Sequence, residues 1–297
     1  MSTPTPAQRA GIDEGRAAAL VAGLVDDAAV FPPAATPVHE ALPAHRGHRR
    51  SSHDVVVGPF LAPVSRLGEV LDALDAETGS DPLDLVLVAD TGLVEAAEAR
   101  AVLLDDDRVE LVGLELALPV DGPLADSARL TLATLDFAVP AAVEVPLVAG
   151  WQEAVEVIAA DGAERVKIRT GGATAAHHPS EELLADVLVA CVRAGARFKL
   201  TAGLHHALRR TAEGTGFEEH GFLNVLAATA RAIAGDTAAE VAQVLALRTA
   251  DPLLDALAGA DARAVRGRFT SFGSCSISDP VTDLRSLGLL DDDPEER

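Results

Sequence analysis

Lys167 and Lys199 are the only lysines among the 24 basic residues of this 297-residue chain. The other basic residues are arginines, which keep their charge, whereas a buried lysine can become a neutral amine nucleophile. Both lysines lie in short apolar runs that read as strand ends, Arg165-Val-Lys-Ile-Arg-Thr-Gly-Gly172 and Arg197-Phe-Lys-Leu-Thr-Ala-Gly203. They are about one βα unit apart, so they are expected at equivalent positions on neighbouring strands. Two ammonium groups held close together depress each other's pKa, and burial adds to the effect. One would then form a Schiff base with a carbonyl while the other supplies charge or a proton. The plain alternative is a pair of lysines that snorkel at strand ends.

Other residues could serve this chemistry. Glu115 and Glu144 fall in the middle of apolar runs and are candidate proton shuttles or charge neutralisers. Asp26-Asp27 ends a further run, and since neighbours on a strand face opposite ways, at most one can point to the site. His205-His206 follow Lys199, and His205 is a candidate acid or base. Candidate substrate contacts are Arg169, Thr170, Gly171, Gly203, His206 and Asn224, the only Asn in the chain, although Asn224 could equally cap backbone. Gly273-Ser274-Cys275-Ser276 offers turn amides to an anion, through Gly273, Ser274 and Ser276, with Arg169 and Arg268 as charged helpers. The histidines also support a metal reading, with His205, His206, His220 and a carboxylate as ligands, but no metal-binding spacing such as H-E-x-x-H occurs. No metal and no other cofactor is therefore expected.

Taken together, Val166-Lys-Ile-Arg-Thr-Gly171, Phe198-Lys-Leu-Thr-Ala-Gly203 and Arg268-Phe-Thr-Ser-Phe-Gly-Ser-Cys-Ser276 resemble the last three strands of deoxyribose-phosphate aldolase and related class I aldolases. The resemblance implies that Lys167 forms the Schiff base, that Lys199 tunes it, and that the Gly273–Ser276 turn holds phosphate by backbone amides. It covers about 40 residues directly. The seventh-strand turn departs from the family's Gly-Gly, reading Ala202-Gly203-Leu204, and the chain before the last strand is much longer.

The elements that must position these residues are legible as alternating apolar runs and helical patterns. Strands are expected at 55–61, 84–89, 109–116, 142–147, 165–170, 197–201 and 269–277, with an eighth near 25–31. Helices are expected at 64–77, 92–103, 152–160 and 237–247, and after Ser180, where Gly195 supplies a stop. Near-continuous apolar strands separated by helices indicate an α/β fold, a single (β/α)8 TIM barrel over 1–297 with a helical insertion at 204–268 before the last strand. An open doubly wound sheet is the runner-up, but no G-x-G-x-x-G turn is present. Residues 39–54, with His39, His45, His48, His53, Arg46, Arg49 and Arg50, read as a mobile loop.

Composition narrows the function classes. A net charge of −22 argues against nucleic acid and against an anionic membrane surface, and no apolar run is long enough to span a bilayer. Two cysteines and no signal-peptide pattern fit a reducing cytoplasm. The expectation is a cytoplasmic, Schiff-base-forming lyase of carbohydrate metabolism acting on a small anionic carbonyl substrate, phosphorylated or not. A metal-dependent lyase or hydrolase and a non-catalytic anion-binding barrel or pathway scaffold are the alternatives. A homo-oligomer is left open.

Overall fold

The computed structural model describes residues 4–77 and 81–291. The acidic end, read from sequence as a solvated tail at 290–297, lies outside the described residues beyond Asp291.

Eight parallel strands close into a barrel: β1 (Val25–Asp27), β2 (Val57–Pro63), β3 (Leu83–Val88), β4 (Val109–Ala117), β5 (Ala141–Glu144), β6 (Arg165–Arg169), β7 (Arg197–Thr201) and β10 (Phe269–Ser274). The order is β1-β10-β7-β6-β5-β4-β3-β2, with β1 and β2 completing the ring. The α/β barrel expected from the apolar runs is the fold. Parallel strands need crossovers, and the chain supplies them as α3 (Val38–Arg49), α4 (Leu67–Asp75), α5 (Leu93–Leu103), α6 (Leu124–Thr134), α7 (Trp151–Asp161) and α8 (Glu181–Ala194). The preceding α1 (Pro6–Arg9) and α2 (Glu14–Val21) lie before β1, and α13 (Ser278–Leu287) follows the last strand.

Strand alternation sorts the side chains. Val166 and Ile168 on β6 and Phe198 and Leu200 on β7 are wholly buried apolar residues. The intervening Lys167 and Lys199 face the other way, into the barrel, where their ion pairs lie. Local signals start and stop the helices. Ser180 accepts from the Leu183 amide at 3.2 Å to cap α8, and Gly195 closes it in the left-handed region at φ 78°.

Between β7 and β10 the chain forms a short antiparallel hairpin, β8 (Arg210–Thr211) and β9 (Glu218–Glu219). It is followed by α9 (Phe222–Ala234), α10 (Ala238–Leu245), α11 (Asp251–Ala258) and α12 (Ala262–Arg268).

The structure corrects the loop expected at 39–54. Most of it is α3, because Val38, Ala41, Leu42 and His45 recur at helical spacing and are buried on one face. Two of its basic residues are taken up by that packing: His45 Nδ1 lies 3.0 Å from Asp27, and Arg46 pairs with Glu77 at 3.1 Å. No helix among the described residues is long and apolar enough to cross a membrane.

Candidate active site

Register brings the site together. Glu144 is the partner of Lys167, Lys167 of Lys199, and Lys199 of Ser271, so four strands place these residues on one rung of the barrel. Glu115 on β4 and Asp26 on β1 close the ring from the other side. Lys167 Nζ lies 2.7 Å from Glu115 Oε2 and 3.1 Å from Glu144 Oε2. Lys199 Nζ lies 2.5 Å from Asp26 Oδ2 and also pairs with Glu115 Oε1. Arg169, two residues beyond Lys167 on the same strand, places Nε 2.9 Å from Glu144 Oε1. Three carboxylates and three cations thus alternate in one chain: Asp26, Lys199, Glu115, Lys167, Glu144, Arg169.

From Lys199 outward, exposure rises along that chain. The side chains are 1% exposed at Lys199, 2% at Glu115, 6% at Lys167, 14% at Glu144 and 41% at Arg169. The Arg169 end is the approach from solvent, at the carboxyl ends of the strands where barrel ligands bind.

The electrostatics differ from the expectation of two mutually depressed lysines. Glu115 stands between the two ammonium groups and touches both. Burial of Lys199 works against its charge, but Asp26 and Glu115 outweigh it and push its pKa up. Burial likewise opposes ionisation of Glu115, yet Lys167 and Lys199 bring its carboxyl down to about 2. For Glu144, burial is again overcome, by Lys167 and then Arg169, and its pKa is lowered. Lys199 is therefore held as a cation, the opposite of a lysine prepared to lose its proton.

Between Asp26 and Asp27 the sequence left the choice open, and Ser271 was not singled out. Asp26, rather than Asp27, faces the lysines, and Ser271 donates to its Oδ2 at 2.7 Å. Asp27 turns to His45 on α3 and accepts from the Ala29 amide at 3.0 Å. Ser271 shares β10 with Thr270 and Ser274, so the sequence does not mark it out; register places it level with Lys199.

Several expected contacts are spent on the fold instead. Thr170 Oγ1 donates to Ala202 O at 2.7 Å, tying the β6 and β7 ends together. Gly171 and Gly203 make that crossing: a Cβ on Gly171 would lie 2.6 Å from Gly203 Cα, and Gly203 has φ +75°. Asn224 is fully buried on α9, where Oδ1 accepts from the Arg209 amide at 2.9 Å and Nδ2 donates to Leu247 O at 2.8 Å. Its capacity is used by backbone, so it is a capping residue rather than a substrate contact.

The proposed phosphate turn is likewise occupied. Gly273 is a strand residue paired with Asp26, and Ser274 Oγ donates to Ser276 O at 2.6 Å while accepting from the Ser276 amide at 3.2 Å. Burial raises the neighbouring Cys275 thiol, the Ala34 and Cys275 backbone amides oppose it, and Asp279 and then Asp27 add smaller upward contributions. Arg268 is at the far end of β10, donating to Gly195 O.

The histidines are dispersed. His205 Nδ1 is 3.3 Å from Ser274 Oγ and pairs with neither lysine, and burial lowers its pKa. His206 contacts Asp283 at 3.3 Å, and His220 contacts Pro179 O at 2.9 Å and lies buried beside Arg209. Each has a different partner, and among the described residues no group of three or more His, Cys, Asp or Glu could hold a metal ion. The set His205, His206 and His220 does not assemble into the ligand cluster considered from sequence.

No family model matches the chain, and neither a curated protein nor a solved structure matches it. The likeness to class I aldolases rests on the strand-end motifs alone.

Proposed function

We propose that this barrel is a Schiff-base-forming lyase of the class I aldolase type, acting through Lys167 on a small anionic carbonyl compound. The observation that carries the reading is the position of Lys167 Nζ between two carboxylates, Glu115 at 2.7 Å and Glu144 at 3.1 Å, at the more exposed end of the buried chain. An iminium carries the same positive charge as an ammonium. Carboxylates that stabilise one therefore stabilise the other, and the site is preorganised for the cationic intermediate.

The residues divide the work by position. The Lys167 ammonium gives a proton to Glu144, leaving a neutral amine. The nitrogen lone pair adds to the carbonyl carbon, the C=O pair moves to oxygen, and a nitrogen proton passes to that oxygen. Glu144 then returns its proton to the hydroxyl, water leaves, and the lone pair closes the C=N bond. The iminium then takes up the electron pair of the adjacent C–H bond, whose proton passes to the again ionised Glu144, or of the C–C bond, whose β-hydroxyl gives its proton to Glu144 as that fragment leaves as a carbonyl compound; either way an enamine remains. Glu115 stays ionised between the lysines, and Lys199 stays charged. Lys199 supplies a fixed positive charge behind Glu115 and is itself shielded from substrate.

The test is reductive trapping. The protein is incubated with small aldehydes, ketones and sugar phosphates, reduced with borohydride, and mapped by peptide mass. A stable adduct on Lys167, absent from Lys167→Met, supports the reading. An adduct confined to Lys199 would reverse the roles, and no adduct across the panel would sink it.

A further inference from the structure

Resting on that Schiff-base reading, we propose that the substrate is a short 2-oxo acid, whose carboxylate takes the place of Glu144 on the Arg169 guanidinium while its ketone meets Lys167. The geometry comes from one shared carboxylate. Glu144 binds Lys167 Nζ through Oε2 at 3.1 Å and Arg169 Nε through Oε1 at 2.9 Å. The two cations are thus separated by the width of a single carboxyl group. They project from alternate positions of β6, whose backbone sets them about 6.6 Å apart along the strand.

A ligand that engages both must carry its acid group and its electrophilic carbon equally close. In a 2-oxo acid, the carbonyl carbon is bonded directly to the carboxyl carbon. In a phosphorylated hydroxyaldehyde, the phosphorus is several bonds away from the carbonyl, and the turn that would have held it lies near Asp27 and Asp279 with its Ser276 amide already occupied.

Charge leads to the same choice. The six groups of the buried chain sum to zero. A monocarboxylate on Arg169 brings that sum to one negative charge, which the transfer of a proton from Lys167 to Glu144 leaves unchanged. A phosphate dianion would bring it to two, a larger uncompensated charge at a largely buried cluster, which is costlier. Displacing Arg169 also removes one of the two cations that hold the Glu144 pKa down, so substrate binding itself makes Glu144 a better acceptor for the Lys167 proton.

The experiment traps the full-length protein with pyruvate, acetaldehyde or glyceraldehyde 3-phosphate, in wild type, Arg169→Met and Arg169→Lys. Peptide mass reports the adduct on Lys167, and thermal melts confirm that each variant folds. Pyruvate should modify Lys167 at concentrations about tenfold or more below the other two probes, a charge-assisted pairing being worth that much. Arg169→Met should erase the preference and Arg169→Lys should recover part of it. If acetaldehyde or glyceraldehyde 3-phosphate modifies Lys167 as readily as pyruvate and Arg169→Met makes no difference, this inference fails and the Schiff-base reading stands. If no probe modifies Lys167, the Schiff-base reading fails and this inference with it.

Discussion

Lys199 and Asn224 are equally sealed from solvent, yet they belong to clusters of different kind. Lys199 sits in a chain of ionisable side chains that satisfy one another, Asp26 and Glu115 on one side of Lys167, Glu144 and Arg169 on the other. Asn224, on α9 beside the β8–β9 hairpin, is satisfied by main chain, through the Arg209 amide and three carbonyls, as His220 is by Pro179 O. A group bonded to main chain cannot change partners without undoing an element. A group bonded to other titratable side chains can pass a proton or accept a ligand in exchange. Burial of polar residues is common to both regions, and the hairpin region also has an ion-pair chain, from buried Arg209 to Glu218 and exposed Arg248, but the barrel cluster is the one that holds lysines among its exchangeable partners.

The largest effect that could break this comparison is expected at Glu115. Glu115→Ala leaves two buried ammonium groups facing each other and should cost about 3–5 kcal/mol in urea unfolding, the usual penalty for breaking a buried charge network. A loss below ~1 kcal/mol would mean that the two lysines are not held by this carboxylate.

The pH dependence separates the two regions. Burial, followed by the Arg209 charge, lowers the His220 pKa from its ordinary value of 6.5 to about 4. A folded-state pKa below the unfolded one means that protons favour unfolding. The His220 contribution is thus full above pH 6.5 and is lost as pH falls toward 4, by about 3 kcal/mol. His220→Gln should flatten stability over that window. Glu115, with its pKa lowered to about 2, contributes fully above its ordinary 4.5 and loses that contribution only as pH falls below it. The raised pKa of Lys199 places its window on the alkaline side, intact below 10.5 and lost as pH climbs above. A barrel cluster that weakened between pH 6.5 and 4.5 would contradict the assignment.

Asn224→Ala should cost about 2 kcal/mol, since it strands buried backbone groups, and should leave trapping at Lys167 unchanged. The smallest stability effect is expected at Arg169, whose guanidinium is part-exposed: Arg169→Met should stay within about 1 kcal/mol of wild type in the same unfolding assay while altering which carbonyl compounds are trapped. If Asn224→Ala impaired trapping as much as Arg169→Met, the division between the two regions would collapse.

The fold was legible because parallel strands buried on both sides leave continuous apolar runs; the span expected at 197–201 is β7 itself. The strand expected near 25–31 stops at Asp27, where the Asp27 carboxylate turns to His45 on α3. Helix α3 was not legible, because its buried face includes His45 and Arg46, whose partners Asp27 and Glu77 lie elsewhere in the sequence. The same limit governs the site. Lys167 and Lys199 could be paired from local spacing, and Glu115, Glu144 and one of Asp26 and Asp27 were candidates beside them, but which carboxylate touches which lysine depends on register across β1, β4 and β5, so the lysines read as two mutually depressing charges. Thr170, Ser274 and Asn224 looked like ligand contacts because small polar residues at element ends do bind ligands. Here each first satisfies a nearby backbone group, the more general demand on such residues.

Because the chain has only two lysines, one spectrum can test the central claim. Protein labelled with 15N at the lysine side chains should give two Nζ signals, assigned with Lys167→Met, and can be followed as pyruvate and a mild reductant are added. The account predicts that the Lys167 signal is converted to that of a secondary amine while Lys199 remains an unmodified ammonium. Conversion of Lys199 with Lys167 untouched, or persistence of both ammonium signals, would contradict it.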